Sequence, residues 1–330
     1  MKRDYFIFSS GSMKRQDNTI FVINASNEKK VIPIETIRSL YLFGEININT
    51  KLLNFLSQNE VILHVFNYYG FYSGSYYPKE SLLSGFVLVE QVKAFTNMKK
   101  QIIIARETID AAVNNIIKNL FYYQSRGKEL EGSINEIKVL KQKLQECCSI
   151  EEIMGIEGQI RQSYYSSFNI IINQEINFNK RVKRPPDNMI NTLISFGNSL
   201  LYTSTISQIY QTQLNPTVSF LHKPGYRRYS LALDISEIFK PILVDRIIFR
   251  VLNKNMITES DFDTELNFCF MKEKAKKILI KEFDDQLNTT IKHRTLNRNV
   301  SYRHLIRLEC YKIIKYLTEN VEYKAFRIWW

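Results

Sequence analysis

The hydrophobic period of this 330-residue chain changes once, near residue 85, and that change limits the folds open to it. Ahead of it, YFIFSS, TIFVINA, KKVIPI, SLYLFG and VILHVFN are short runs rich in β-branched and aromatic residues, separated by SGS, QDN, SNE and GEIN turn signals. Such punctuation predicts a small sandwich or open barrel rather than an α/β unit. One helix interrupts it at NTKLLNFLSQ, where Leu52, Leu53, Phe55 and Leu56 make an apolar face. Beyond residue 85, GFVLVEQVKAF, QIIIARETIDAAVNNIIKNLFYY and SINEIKVLKQKLQEC carry apolar positions three and four apart, with few glycines or prolines. The chain therefore reads as α+β and multidomain: a small β-sandwich-like domain at 1–80, a linker at 81–85, and a larger all-α domain at 86–330.

The length suffices for two cores. A net charge of +12 and a pI near 9.3 point to a polyanionic partner, nucleic acid foremost. Cys147, Cys148, Cys269 and Cys310 have no CxxC spacing and read as reduced, buried thiols of a cytoplasmic protein. The opening MKRDYFIFSS is basic, but its apolar run is too short for a signal peptide, and no stretch approaches the roughly 20 apolar residues of a membrane span.

Residues 222–246, HKPGYRRYSLALDISEIFKPILVDR, combine a histidine, carboxylates and basic residues. A histidine nitrogen and carboxylate oxygens can hold a divalent cation, while Lys223, Arg227 and Arg228 can hold the phosphate it acts on. Asp234 and Glu237 lie three apart at a helix entry, which is also the spacing of an acidic capping box. Upstream, SIEEIMGIEGQIRQSYYSSF reads as a helix starting at Ser149 and Glu152, with Gly155 and Gly158 on either side of Glu157. Glycines inside a helix cost stability, so these imply either tight packing or something approaching the backbone. Tyr164 and Tyr165 raise a tyrosine-recombinase alternative, but no surrounding set of arginines and histidines supports it, and Tyr165 reads as packing or DNA-facing.

Between those stretches, Lys180, Arg181, Lys183 and Arg184 precede Pro185 and Pro186 and then a helix on which Asn191 and Ser195 put polar atoms on one face. His64 reads as a histidine packed within a strand. The aromatic group Tyr68, Tyr69, Phe71, Tyr72, Tyr76 and Tyr77 is read as packing before base stacking. From Met271 onward, 14 Lys and Arg face 7 Asp and Glu; Arg294, Arg298, Arg303 and Arg307 cluster there, and Arg303 and Arg307, one helical turn apart, would present a basic ridge able to neutralise duplex phosphates. FRIWW at the end either docks on the helices or stays mobile.

In order, GIEG, RPPDNMINTLISFGNSLLY and FLHKPGYRRYSLALDISEIFKPILVDR resemble the Cas1 family, the CRISPR-associated endonuclease and integrase of spacer acquisition. KRQDNTIFVI, FNYYGFYSGSYYP and SYRHLIRLECYKIIKYL extend the resemblance over nearly the whole chain, and FNYYGFYSG resembles the branch found with multi-subunit type I systems. The resemblance implies Glu157, His222 and Glu237 as catalytic metal ligands for Mg²⁺ or Mn²⁺, with Asp234 either an additional ligand or a carboxylate behind them, while the helix-face reading places Asn191, with Tyr165, in support of the site. It further implies insertion of short DNA fragments into a CRISPR repeat target by 3′-hydroxyl attack, dimerisation through the β domain, and a small adaptation partner protein bridging two homodimers. Two other readings remain open: a metal-dependent nuclease of branched DNA or repair intermediates, and a non-catalytic DNA-binding scaffold.

Overall fold

The computed structural model describes all residues except 1, 80, 81, 177, 184, 226, 227, 266, 267 and 330, and the backbone alone of 265. Residues 1–83 form one unit and residues 84–330 a second.

In the first unit the strands are β1 (Arg3–Ile7), β2 (Gly11–Gln16), β3 (Thr19–Asn24), β4 (Lys29–Pro33), β5 (Ile37–Leu42) and β6 (Ile46–Asn47). Helix α1 (Thr50–Gln58), β7 (Ile62–Phe66) and β8 (Tyr72–Tyr76) complete it. One sheet runs β1-β5-β7-β8, parallel except for its last pair, and the other runs β4-β3-β2-β6. Alternation turns Ile20 and Val22 of β3 inward, where they join Met13, Leu40, Leu63, Leu52 and Leu56 in one core. Asn49 starts α1 by accepting from the Leu52 amide at 3.0 Å.

Three of these strands fall elsewhere than the sequence reading put them: β2 and β6 on turn signals and β8 on the aromatic group. Gly11 of β2 has φ +152°, and a Cβ there would sit 2.0 Å from the Ile23 carbonyl oxygen, so this glycine allows close strand pairing. His64 is fully buried on β7, with Nδ1 2.6 Å from Ser75 Oγ and its ring against Tyr41.

The second unit opens with α2 (Gly85–Thr96), α3 (Met98–Gln124), α4 (Glu131–Leu144), α5 (Ile150–Ser166) and α6 (Phe168–Ile171). It continues through α7 (Met189–Ile209), α8 (Ser230–Lys240), a π-helical turn at Pro241–Asp245, and α9 (Arg246–Asn253). This unit is largely helical, as expected, and two small hairpins sit among its helices: β9 (Phe262–Glu265) with β10 (Phe268–Met271), and β11 (Thr290–Lys292) with β12 (Asn299–Ser301). In β10, Cys269 and Met271 point inward and Phe268 and Phe270 are half-buried, a period of two within a helical region. Helix α10 (Glu273–Asn288) separates the hairpins, and α11 (Tyr302–Glu319) follows them.

Helix α7 is buried nearly all round, and its hydroxyls turn back onto its own carbonyls, as from Ser199 to Ser195, Thr203 to Ser199 and Ser207 to Thr203. Gly197 of this helix faces the π-helical turn so closely that a Cβ would lie 2.7 Å from Val244 Cγ1. The final segment docks: Tyr323, Phe326 and Ile328 are buried, and Asn115 of α3 accepts from the Ile328 amide at 2.8 Å. Trp330 lies outside the described residues, as do Glu80 and Ser81 of the expected linker. Cys147, Cys269 and Cys310 are buried free thiols, whereas Cys148 is exposed. Among the described residues, no helix is long and apolar enough to cross a membrane.

Burial alone drives the His64 pKa down to about 3, so the folded state refuses a proton that the unfolded chain accepts below about 6.5. Stability is therefore fully present above pH 6.5 and is lost as pH falls towards 3, by up to about 1.4 kcal/mol per pH unit. Thermal unfolding from pH 7 to pH 4 should show this loss, and His64→Gln should flatten that part of the dependence. An identical slope in the variant would remove His64 as its source.

Candidate active site

A loop and three helices build the site. The loop at 215–222 is fixed from several sides: Gln91 Nε2 donates to the Asn215 and Val218 carbonyls at 2.9 and 2.7 Å, and Gln101 Nε2 donates to the Phe220 carbonyl at 3.0 Å. Asp234, buried on α8, accepts from the backbone amides of Phe220, Leu221 and His222 at 2.7, 2.9 and 2.9 Å. It also meets His222 Nδ1 at 2.8 Å.

Helix α8 begins at Ser230, so Asp234 and Glu237 sit inside it and do not cap it. The four contacts of Asp234 occupy it as the anchor and orienter of His222, leaving His222 Nε2 turned towards Glu237 Oε1 at 4.0 Å. Burial pushes the His222 pKa down, but the hydrogen bond and charge of Asp234, with Glu237 behind them, outweigh it and raise the pKa above the ordinary value.

Glu237 is 4% exposed among buried apolar side chains of α8, so its charge must be paired. Arg161 Nη2 donates to Glu237 Oε2 at 2.6 Å, while its Nε donates to Glu157 Oε1 at 3.0 Å. One guanidinium thus ties α5 to α8 through both carboxylates. Lys240 Nζ, one turn along α8, binds Glu237 Oε1. Burial works against ionising Glu237, yet Lys240, Arg161 and His222 bring its pKa to about 2. Lys183 lies close enough to sense Glu237 and Glu157; burial first, then the charges of Arg181 and Lys240, depress its own pKa.

Beneath the site, Pro241 has no amide hydrogen to continue the α ladder, and the chain relaxes into the π-helical turn. Asn115 and Asn119 of α3 donate to the Ile238 and Pro241 carbonyls at 2.9 and 2.7 Å. Asp245 closes that turn, and burial raises its pKa to about 6 against the pull of Arg161.

His222 and Glu237 are therefore neighbours, and Glu157 joins them through Arg161. Among the described residues, no three His, Cys, Asp or Glu side chains already surround one point. Asn191 Nδ2 donates to the Asp187 carboxylate at 2.7 Å, its Oδ1 accepts from Arg181 Nη1 at 2.9 Å, and Ser195 Oγ accepts from Arg181 Nη2 at 2.8 Å. Tyr165 packs against Phe168 and Phe178, and burial raises its pKa to about 12, which suits packing and disfavours a nucleophilic phenolate. Lys223 pairs with Glu151 at 3.1 Å on an exposed surface, Arg228 donates to the Lys223 carbonyl, and Arg227 lies outside the described residues, as does Arg184.

The arginine ridge expected on α11 also changes. Arg303 is 5% exposed with Nη2 on Asp284 at 3.0 Å, and Arg307 Nε and Nη2 donate to Gln208 Oε1 at 3.1 and 2.8 Å. Both turn inward to polar partners that a count of basic residues does not reveal. Arg294, over the Trp329 ring at 5.1 Å, and Arg298 stay exposed. Sequence reasoning missed Arg161 and Lys240, although each lies one helical turn from its glutamate.

A family model described as CRISPR associated protein Cas1 matches residues 5–285. A CRISPR-associated endonuclease Cas1 of Fusobacterium nucleatum is 53% identical over 330 residues, covering 100% of this chain and 98% of that protein. The solved Cas1 protein of Thermotoga maritima superposes with a TM-score of 0.88 at 36% identity, over 98% of this chain and 100% of that one. The fold recurs in a casposase bound to integration product (TM-score 0.88, 22% identity, 98% of this chain and 93% of that one). It recurs again in a Cas6-RT-Cas1–Cas2 complex (TM-score 0.84, 17% identity, 99% of this chain and 36% of that one).

Among the described residues, none outside the backbone of α5 comes within 4 Å of a Cβ placed at Gly155 or Gly158, so tight packing against them is not the reason for either glycine. Gly155→Ala and Gly158→Ala should each stabilise the protein by about 1 kcal/mol through helix propensity alone. Differential scanning calorimetry checks this; a lowered melting temperature would mean that α5 tolerates no side chain there.

Proposed function

The chain belongs to the Cas1 family of CRISPR-associated endonucleases, the endonuclease/integrase enzymes of spacer acquisition, and on that premise we propose that Glu157, His222 and Glu237 are its catalytic centre. The observation that carries this is the orientation of His222: Asp234 occupies Nδ1, so Nε2 is the nitrogen presented beside Glu237.

The donor chemistry fits a divalent cation. One imidazole nitrogen with carboxylate oxygens suits Mg²⁺ or Mn²⁺, the nitrogen adding to the case for Mn²⁺. Bound there, such an ion supplies Lewis acidity at a phosphodiester and stabilises charge on the attacking and leaving oxygens.

The rest of the reading concerns the chain's own side chains. Arg161 and Lys240 now neutralise Glu237, and as fixed cations they keep its carboxylate aimed when part of that charge is shared. Lys183, exposed and within electrostatic reach of both glutamates, is suited to hold a phosphate oxygen, with exposed Lys223 and Arg228 along the loop as further phosphate contacts. The open flanks of Gly155 and Gly158 leave room for a DNA backbone beside Glu157. A fragment's 3′-hydroxyl displaces a strand 3′-oxygen in the target, so one P–O bond forms as another breaks; with water in place of that hydroxyl, the same centre nicks DNA.

The same reading assigns dimerisation to the β unit, since joining two fragment ends needs paired centres, which a two-fold dimer supplies. A small adaptation partner bridging two dimers, a type I system and a cytoplasmic setting complete it. Arg294 and Arg298 remain candidate contacts for duplex phosphate.

The test is joining of a labelled 3′-hydroxyl fragment to a supercoiled target carrying a CRISPR repeat. Wild-type protein should join it with Mg²⁺ or Mn²⁺, and Glu157→Gln, His222→Ala and Glu237→Gln should each lose about 100-fold or more. Asp234→Asn should lose about 10–100-fold and weaken Mn²⁺ binding measured directly by calorimetry. Full activity in folded Glu157→Gln and Glu237→Gln variants would overturn the assignment.

A further inference from the structure

A second basic site lies away from these carboxylates, where the C-terminal part of α3 meets α9. Its cavity has a volume of about 860 Å³. Lys118, Arg126, Lys128, Arg246, Arg250 and Lys254 line it, and none of the described lining residues is acidic. Among the described residues, only Arg250 of these six is ion-paired, to Glu282 at 3.1 Å. Lys128 Nζ and Arg246 Nε instead bind neutral amide oxygens, those of Asn173 and Asn119, at 2.8 and 2.7 Å. The walls therefore gather positive charge with little internal compensation, which suits a ligand carrying several negative charges.

Aromatic rings at the mouth narrow the choice of polyanion. Tyr122 and Phe121 are 44% and 42% exposed, and Arg126 lies over the Tyr122 ring at 4.5 Å. A half-exposed ring beside guanidinium groups can stack with a base face, and only an unpaired strand presents such faces. The volume falls within the roughly 300–1,000 Å³ of small-ligand pockets, room for a nucleotide or two rather than for a duplex.

We infer that this cleft binds a short single-stranded DNA segment, its phosphates on Lys118, Lys254 and the arginines and a base on Tyr122. The inference rests on the integrase reading only for the identity of the nucleic acid as DNA. Asn119 links the cleft to the catalytic helix: its Oδ1 accepts from Arg246 while its Nδ2 donates to the Pro241 carbonyl and, at 3.3 Å, to Tyr164 Oη. A strand in the cleft is thereby held on the frame that positions Glu237.

The test is fluorescence anisotropy with a labelled 20-residue oligothymidylate and, separately, a blunt duplex, both in EDTA over a salt series. Lys118→Glu with Lys254→Glu should weaken single-strand binding about tenfold or more and flatten its salt slope by about 0.7 for each phosphate no longer neutralised. Tyr122→Leu should weaken it about fivefold or more. Duplex binding should change by less than about twofold in each. Lys118, Tyr122 and Lys254 are exposed, so melting temperatures should match wild type. Unchanged oligothymidylate binding overturns the cleft, and equal losses on both ligands overturn its preference for single strands. Fragment joining by the wild-type protein is scored separately, so a failure of the integrase reading and a failure of the cleft give different results.

Discussion

A single guanidinium holds the candidate centre together. Glu157 and Glu237 come from helices about 80 residues apart in sequence, and each would repel the other if Arg161 did not stand between them. Charges this deeply buried are tolerated only when paired, and α8 has few polar neighbours to offer. Arg161 from α5 and Lys240 from α8 itself supply the pairing. Nearby charge is therefore nearly balanced without an added ion, and a divalent cation competes with two side chains for the oxygens of Glu237.

The backbone beneath follows the same logic of satisfied need. Pro241 interrupts the hydrogen-bond ladder directly after the catalytic turns, and α3 answers with two asparagines one turn apart. Asn115 does more than cap a loose carbonyl, because it also binds the Phe326 carbonyl and the Ile328 amide of the last segment. Active-site helix, central helix and docked tail thus share one buried polar junction.

Much of this was legible from residue order. His222, Glu237 and Glu157 were singled out because they stand in the motifs that carry the family resemblance, and the break in period near residue 85 separated β from helical structure. What escaped was whatever depends on partners distant in sequence. The aspartate at 234 has cap-like spacing, and only the fold of the 215–222 loop shows it accepting three backbone amides. Arg303 reads as surface charge until Asp284 is brought beside it. The strands β2 and β8 were hidden because glycine and serine mark turns far more often than they mark paired strands. Arg161 and Lys240 were within reach, since helical spacing from each glutamate points to them.

Gly197 carries a consequence for which residues can vary. Its missing side chain lets α7 lie against Val244, inside the turn that sets the pitch of the catalytic helix. A methyl group there would press on the Val244 side chain, which would have to shift to admit it. Position 197 therefore bears on the catalytic helix through packing alone, although the residue itself has no chemistry to perform.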